Sequence, residues 1–506
     1  MKAKLSLQLL IILLLSSMAF AQEWTADTRV TSTPSQTQDV VAVSDGQGFI
    51  HAVATESGSL QNVFYFKMDN LGSLVDARQI SMTTGNARQP AVAIDLSGNR
   101  HFVWADAQDV NGQYRVLYSK LDATGNLVIE RRVVSDAAVI DSPQIVVDRQ
   151  NNAHIVWSDF RNGNWEIYYE KIGADGTTLV DDRRLTNAPG TSFNPTMFYD
   201  STSFLQQIHV AFEDNRDLDA EIYYMKLDIA GNVLSEVRVT NARGRSLTPS
   251  VAGDNGDAYI VYTDYRVGNY PELYLSRVDS RNAVLERQIT SNLGWPLQPS
   301  ITMLPRDNEA YIVWEDHQHG NAEIYYSKRD GEHLTGNNVR LTNQQAHSAG
   351  PVIVADPSAL HAFWQDMRDG NWEIYHKVSV SPQQMRGSVV INGKPRRGGV
   401  LRFNLANGLS NENYIFVLAT SEGSTPLGNG VVLGLNYDEI LRASFATPSV
   451  VGLVNSQGAL NEDGTGEVIL NIPNRPALVG QRFYGAAVYG VPPRYATEAV
   501  GFTVLG

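Results

Sequence analysis

The stretch Asp159–Asn187 reads DFRNGNWEIYYEKIGADGTTLVDDRRLTN, and it recurs as DHQHGNAEIYYSKRDGEHLTGNNVRLTN at Asp316–Asn343. In both, a Gly-Asn turn precedes a Glu-Ile-Tyr-Tyr run, a second glycine turn follows, and the stretch closes on Leu-Thr-Asn. Short β-branched and aromatic runs between Gly, Asn and Asp turns are the mark of antiparallel strands.

Working outward, each copy opens with a proline and an apolar run: Pro90, Pro143, Pro195, Pro249, Pro299 and Pro351, at spacings of 50 to 54 residues. Asp39 holds the same place before Val40-Val41-Ala42-Val43, which makes seven copies. Within a copy, a second strand ends in an aromatic, one residue, then an acid, as in Trp157-Ser158-Asp159. Four short strands in about 50 residues, repeated and without 3.6-residue periodicity, predict a propeller blade rather than a helical repeat. The seventh copy stops after its third strand, Glu373–Lys377, while Ala26-Asp27-Thr28-Arg29-Val30-Thr31 matches the fourth strand Asp181–Thr186. The N-terminal strand is therefore expected to complete the last blade and leave no free edge.

The predicted architecture is all-β: a seven-bladed propeller over residues 22–382 and a β-sandwich over 383–506, where the repeat gives way to period-two alternation. One helical turn is read at Asp438–Arg442. Lys2 and Lys4, the apolar run Leu5–Leu15 and the small residues up to Ala21 read as a secretory signal peptide over residues 1–21. A secreted or periplasmic chain without a membrane span is expected, and a monomer.

With 43% hydrophobic and 19% charged residues, the 506-residue chain is of ordinary globular composition. A net charge of −14 argues against nucleic acid or an anionic membrane as partner. The absence of cysteine excludes disulfides, thiol nucleophiles and thiolate metal ligands. No enzyme or cofactor motif is present. The acid excess leaves Ca2+ open as a ligand, but no segment has its ligand spacing.

The repeat resembles known families. The pattern of Asp159–Asn187 is similar to that of TolB-type propellers, and Asp95–Trp104 (DLSGNRHFVW) resembles the turn of bacterial sialidase-like propellers. The resemblance implies a propeller and no particular activity. It departs from both patterns: seven copies stand where TolB-type propellers have six, and the sialidase Asp-box is not met.

Aligned copies turn residues into columns. The acids Asp106, Asp159, Asp214, Asp264, Asp316 and Asp366 close the second strand, with Glu56 in the first copy. Two positions on stand Arg161, Arg216, Arg266 and Arg368, replaced by Gly58, Gln108 and Gln318 elsewhere. Glu166, Glu221, Glu272, Glu323 and Glu373 begin the third strand. The structural reading has each Arg bridging Asp and Glu across the hairpin; the functional one is a ring of charges that binds a sugar or an anion. A further slot holds His51, His101, His154, His209 and His361, with Tyr259 and Tyr311 in the two remaining copies, and is read as inter-blade packing. His317 and His319 break the repeat and, with Asp316, could ligate a metal, but they are read as a coincidence of surface loop residues and no metal site is assigned. The long loop Ala107–Tyr114 and the loop aromatics Trp165, Tyr270, Trp295 and Trp372 are candidate sugar-stacking features.

The leading expectation is an exported non-catalytic propeller that binds a glycan or protein, with no catalytic residue assigned. The alternative is a carbohydrate-active enzyme, sialidase-like or another glycosidase, with its site at the propeller axis. An enzyme requires non-equivalent acids at the axial mouth; a scaffold presents repeat-equivalent small residues there.

Overall fold

The structure, a computed structural model, describes residues 23–506 except 71, 82–84, 108–112, 136–138, 202–205, 269, 292–293, 305–308, 332–333, 335, 357–358, 381–387, 393, 407–412, 429–430, 461–464, 490–494 and 497–499. The signal segment, Gln108 and most of the long loop Ala107–Tyr114 lie outside the described residues. The chain forms two compact units: Thr25–Val378, and Ser379–Gly506 together with the short strand Glu23–Trp24.

The first unit has β-propeller architecture, built from antiparallel sheets that each follow one copy of the repeat. Sheet 3 is representative, with strands Ile140–Val147, Ala153–Asp159, Glu166–Ile172 and Thr178–Arg184 in sequence order. Seven such sheets are described, their first strands being Gln36–Ser44, Ala87–Ile94, Ile140–Val147, Ser192–Asp200, Ser246–Asp254, Leu297–Leu304 and Ser348–Asp356. These first strands touch in cyclic order, and that of sheet 7 returns to that of sheet 1. In sheet 7 the outer place is taken by Thr28–Arg29, which pairs with Tyr375 and His376 of the third strand. Its backbone continues the ladder, with Val30 N–H donating to Ile374 C=O at 2.8 Å.

Burial explains the strand order. The second and third strands are buried almost throughout, as in AHIVWSD and EIYYEKI of sheet 3, whereas the fourth is largely exposed. The core lies between neighbouring sheets: Ile145, Ile155 and Trp157 of sheet 3 pack with Val103, Val116 and Tyr118 of sheet 2. The same packing joins Val354, Phe363 and Ile374 of sheet 7 to Val40, Ile50 and Phe66 of sheet 1. Polar links reinforce it. Arg78 donates to Gly125 C=O of the next sheet at 2.8 Å, and Arg277 to Gly331 C=O at 3.1 Å.

Every first strand carries a β-bulge near its start, between Asp141 and Gln144 in sheet 3 and at the matching place in the other six. The residue in the bulge has positive φ: Asp39, Gln89, Ser142, Asn194, Thr248, Gln298 and Gly350. Six of these are not glycine, an uncommon conformation for side chains of this kind. Proline follows in six of the seven, where its missing N–H is tolerated because the bulge leaves the ladder unpaired.

The second unit has a two-stranded antiparallel sheet, Glu422–Gly428 with Val431–Leu435, and two larger antiparallel ones. One contains Ser388–Asn392, Val400–Ala406, Gly466–Asn471 and Leu453–Val454; the other contains Gln457–Ala459, Asn413–Ala419, Arg482–Tyr489, Tyr495–Ala496 and Val500–Thr503. Leu401, Phe403, Phe416, Val468 and Phe502 form their shared core. The single helical turn expected at Asp438–Arg442 is a longer helix, Glu439–Ala446, capped by the Asp438 carboxylate accepting from Leu441 N–H at 2.8 Å. Among the described residues, no helix is long and apolar enough to cross a membrane.

Candidate functional site

The acidic and basic columns form two networks, which corrects the expected Asp–Arg–Glu bridge. Arg266 pairs with Asp264 at 2.8 Å and with Glu286 of the fourth strand at 2.7 Å. Its guanidinium lies over the Tyr274 ring, 3.8 Å from the centroid. Arg161, Arg216 and Arg368 repeat this with Asp159 and Asp182, Asp214 and Glu236, Asp366 and Asp27, over Tyr168, Tyr223 and Tyr375. The Glu column pairs with a different arginine: Glu221 with Arg238 at 2.7 Å, Glu323 with Arg340 and Glu373 with Arg29 at 2.9 Å. Asp159 and Glu166 sit directly opposite each other, and Asp159 takes Arg161 of the connecting loop while Glu166 takes Arg184 of the fourth strand. In sheet 2, Asp106 pairs with Arg115 of the third strand at 3.2 Å.

The rings of the histidine column are buried and hydrogen-bonded within their own sheet. His154 Nδ1 meets the Tyr169 hydroxyl at 2.8 Å, and Nε2 meets Asp148 Oδ2 at 3.0 Å. An ionised Asp148 only accepts, so Nε2 carries a proton towards it. Burial lowers the His154 pKa, offset in part by Asp148. His101, between Asp95 and Tyr118, is alike. Burial works to raise the Asp95 pKa, but hydrogen bonds from His101 and Asn99 prevail and hold it at about 2. His319 bonds the Tyr325 hydroxyl at 2.6 Å and His317 lies 3.6 Å from Glu315. Among the described residues, no group of three or more His, Asp or Glu side chains is arranged to hold a metal ion.

The repeat breaks down at the mouth of the ring, on the face where the first strands begin and the second strands end. There the bulge residues meet the residue just before the Asp column. Glu213 Oε1 accepts from Asn194 Nδ2 at 3.0 Å and from Thr248 N–H of the next sheet at 2.8 Å. Glu315 accepts from Gly350 N–H at 3.0 Å, and Gln365 from Asp39 N–H at 3.3 Å. The matching residues in the other sheets are Thr55, Ala105, Ser158 and Thr263. Asp141 pairs with Arg88 at 3.2 Å and accepts from Gln89 at 2.8 Å. Ser142 Oγ lies 2.7 Å from Asp141 and 3.4 Å from Asn194 Oδ1, so a short polar chain joins Asp141 to Glu213.

Burial raises the Glu213 pKa, against the lowering effect of its hydrogen bonds from Asn194 and Thr248. Beside it lies a pocket of about 270 Å³ lined by Trp165, Thr191, Phe193, Glu213, Asp214, Asn215 and Ala220. Trp165 and Phe193 meet edge to face at 5.0 Å, so Trp165 both covers the neighbouring sheet and walls this pocket. Tyr270 and Trp295 form a second exposed aromatic pair at 6.0 Å, and Trp372 is half-buried. Of the residues singled out from the sequence, the structure brings Trp165 and Asp214 to this pocket. Asp106, Asp159, Arg161, Arg216, Asp264, Arg266, Asp366 and Arg368 are held in the repeated loop networks, and Asp316 lines a separate cavity. Glu213, Asp141 and Asn194 were missed. Their signal was the proline column, since proline inside a strand marks a bulge.

No protein-family model matches the chain, and no curated protein matches it. Among solved structures, the chain is similar to a fungal alcohol oxidase of the AA5 family in complex with copper (10% identity, 96% of this chain and 100% of the other, TM-score 0.48). It is similar to an α-L-arabinofuranosidase from Fusarium graminearum (14% identity, 58% and 93%, TM-score 0.41). It is also similar to the β-propeller domain of the Trilobed protease from Pyrococcus furiosus (8% identity, 68% and 95%, TM-score 0.43). The expectation of a non-catalytic scaffold is corrected. The mouth of the ring carries Glu213, Glu315 and the Asp141–Arg88 pair, where a scaffold presents equivalent small residues.

Proposed function

We propose that this chain is a carbohydrate-active enzyme that hydrolyses glycosidic bonds at the mouth of the ring, with Glu213 as the proton donor. The observation that carries the reading is Glu213: one of two glutamates in its column, raised in pKa by burial, and walling a pocket with two aromatic rings. Glycoside hydrolysis needs two carboxyl groups in different protonation states, one kept neutral by its surroundings. Asp141, paired with Arg88, is the second carboxylate. Trp165 and Phe193 provide apolar faces for sugar rings.

The finer architecture belongs to the same proposal. The seven sheets are the seven blades of one closed propeller, followed by a β-sandwich domain. The chain is exported through its N-terminal signal and acts as a monomer outside the cytoplasm.

The test is hydrolysis of a panel of aryl glycosides and plant and bacterial oligosaccharides, followed by release of reducing ends. At least one substrate is expected to be cleaved, with activity lost in Glu213→Gln and Asp141→Asn. No cleavage across the panel, or full activity in Glu213→Gln, would overturn the assignment.

A further inference from the structure

Sheet 6 keeps the Asp and the Tyr of the arginine network but lacks the arginine, and Asn338 stands where the other sheets carry the second acid. In sheets 3, 4, 5 and 7 the backbone N–H two residues after the Asp column donates to that Asp at 2.8–2.9 Å, and the arginine side chain then folds back over a tyrosine. In sheet 6 the backbone contact persists, with Gln318 N–H donating to Asp316 Oδ1 at 3.0 Å. The tyrosine persists as Tyr325, and its hydroxyl is held by His319 as Tyr375 is held by Asp369. Gln318 replaces the arginine, Asn338 stands in place of the fourth-strand acid, and Pro296 in place of the serine whose hydroxyl donates to the same Asp oxygen in sheets 4, 5 and 7.

What remains is a cavity of about 370 Å³ lined by Trp314, Asp316, Gln318, His319, Tyr325 and Arg340, among others. Asp316 is 1% exposed, and its Oδ2 has no hydrogen-bond partner among the described residues. The equivalent oxygens of Asp214, Asp264 and Asp366 each accept from the arginine at 2.6–2.8 Å. A buried carboxylate oxygen without a donor is costly. Trp314 Nε1 is unpartnered as well, whereas Trp364 Nε1 donates to Asp366 at 2.9 Å. Arg340 does not neutralise Asp316, because it is committed to Glu323 at 2.9 Å.

We propose that this cavity is a binding site for a guanidinium group supplied from outside the chain, seated between Asp316 Oδ2 and the face of Tyr325. The protein itself displays the bound geometry four times, with guanidinium carbons 3.8–4.4 Å from the tyrosine centroids. A planar, forked cation fits both the carboxylate and the ring, whereas an alkylammonium fits only the charge. The site is separate from the Glu213 pocket and does not depend on the activity proposed there.

The experiment uses the full mature chain and follows tryptophan fluorescence on titration with ethylguanidinium chloride, against choline chloride at equal ionic strength. A saturable change is expected with ethylguanidinium alone. It is expected to weaken at least tenfold in Asp316→Asn and to vanish in Gln318→Arg, which fills the socket from within and raises the Tm. Nα-acetyl-arginine amide tests the source of the group: tighter binding than ethylguanidinium points to an arginine of a polypeptide, and equal binding to a free guanidine. The absence of a saturable change in the parent chain, or identical titrations of parent and Gln318→Arg, would overturn the proposal.

Discussion

Glu213 stands beside Asp214, and the two carboxyls have opposite fates because successive side chains of a strand point to opposite faces. Asp214 is held by Ser192 and Arg216, while Glu213 reaches Asn194 and Thr248 without a cation in hydrogen-bonding contact. Because the folded pKa of Glu213 is raised, the native state holds its proton at pH values where the unfolded chain has lost it. Stability falls as pH rises from the ordinary carboxyl value through the folded one. Glu213→Gln is therefore expected to leave thermal stability at neutral pH unchanged or higher while lowering turnover by roughly 10²–10⁴-fold. A variant that loses stability and activity together would count against a catalytic role. For the proposed hydrolysis, turnover of the parent chain should decline on the alkaline side as Glu213 loses its proton.

The buried histidines give the opposite slope. His101 and His154 have lowered pKa values, so the unfolded chain takes up protons first as pH falls below about 6.5. Their contribution to stability is complete above that value and is lost on acidification. The depressed Asp95 adds a second loss as pH falls from about 4 towards its folded value of about 2. Unfolding midpoints measured from pH 7 to 4 should therefore fall steadily, and His154→Gln should flatten the slope. The chemistry of this column was hidden in the sequence because Asp148 and Tyr169 lie six residues before and fifteen after the histidine. Only the hairpin register places them on either side of one ring.

At the level of the element, the hairpin between second and third strands is ordered by one arginine that touches three strands. Arg266 is 21% exposed and links Asp264, Glu286 and Tyr274. Arg266→Ala leaves Asp264 buried without its cation, an effect of about 3 kcal/mol in chemical denaturation. Arg266→Lys should recover less than half of it, since an ammonium cannot fork to two carboxylates while covering a ring. Full rescue by lysine would show that charge alone matters there. The presence of the Asp, Arg and Glu columns was legible in the chain. Their partners were not, because Asp182, Glu236, Glu286 and Asp27 form no uniform sequence column: they are Asp in two sheets and Glu in two.

For the whole molecule, the closing strand carries the greatest weight. Thr28–Arg29 and Thr31 supply backbone partners to the third strand of sheet 7, and Thr31 and Arg29 satisfy Glu373. Removing residues 22–31 would expose a strand edge and take Arg29 and Thr31 from that buried carboxylate, leaving it only Thr33 N–H and Asn371 as donors among the described residues. The truncated chain is expected to melt at a clearly lower temperature and to self-associate in size-exclusion chromatography. A monomer with an unchanged melting point would refute the role of the strand. The unit 379–506 has its own apolar core around Phe403, Phe416 and Phe502. Expressed alone, it should unfold cooperatively by circular dichroism.

What the sequence determined by itself is the repeat and everything that repetition implies: four strands per copy, turns at Gly and Asn, and a terminal strand returned to the last sheet. These are local properties, written in period-two alternation and in spacings of about 50 residues. Tertiary structure decided which charges meet, and where the repeat fails to be satisfied. Glu213 and the cavity at Asp316 both arise where residues from different strands face one space. A linear chain records the residue at such a place and not its neighbours, so a missing arginine reads as one more substitution until the cavity it leaves is seen.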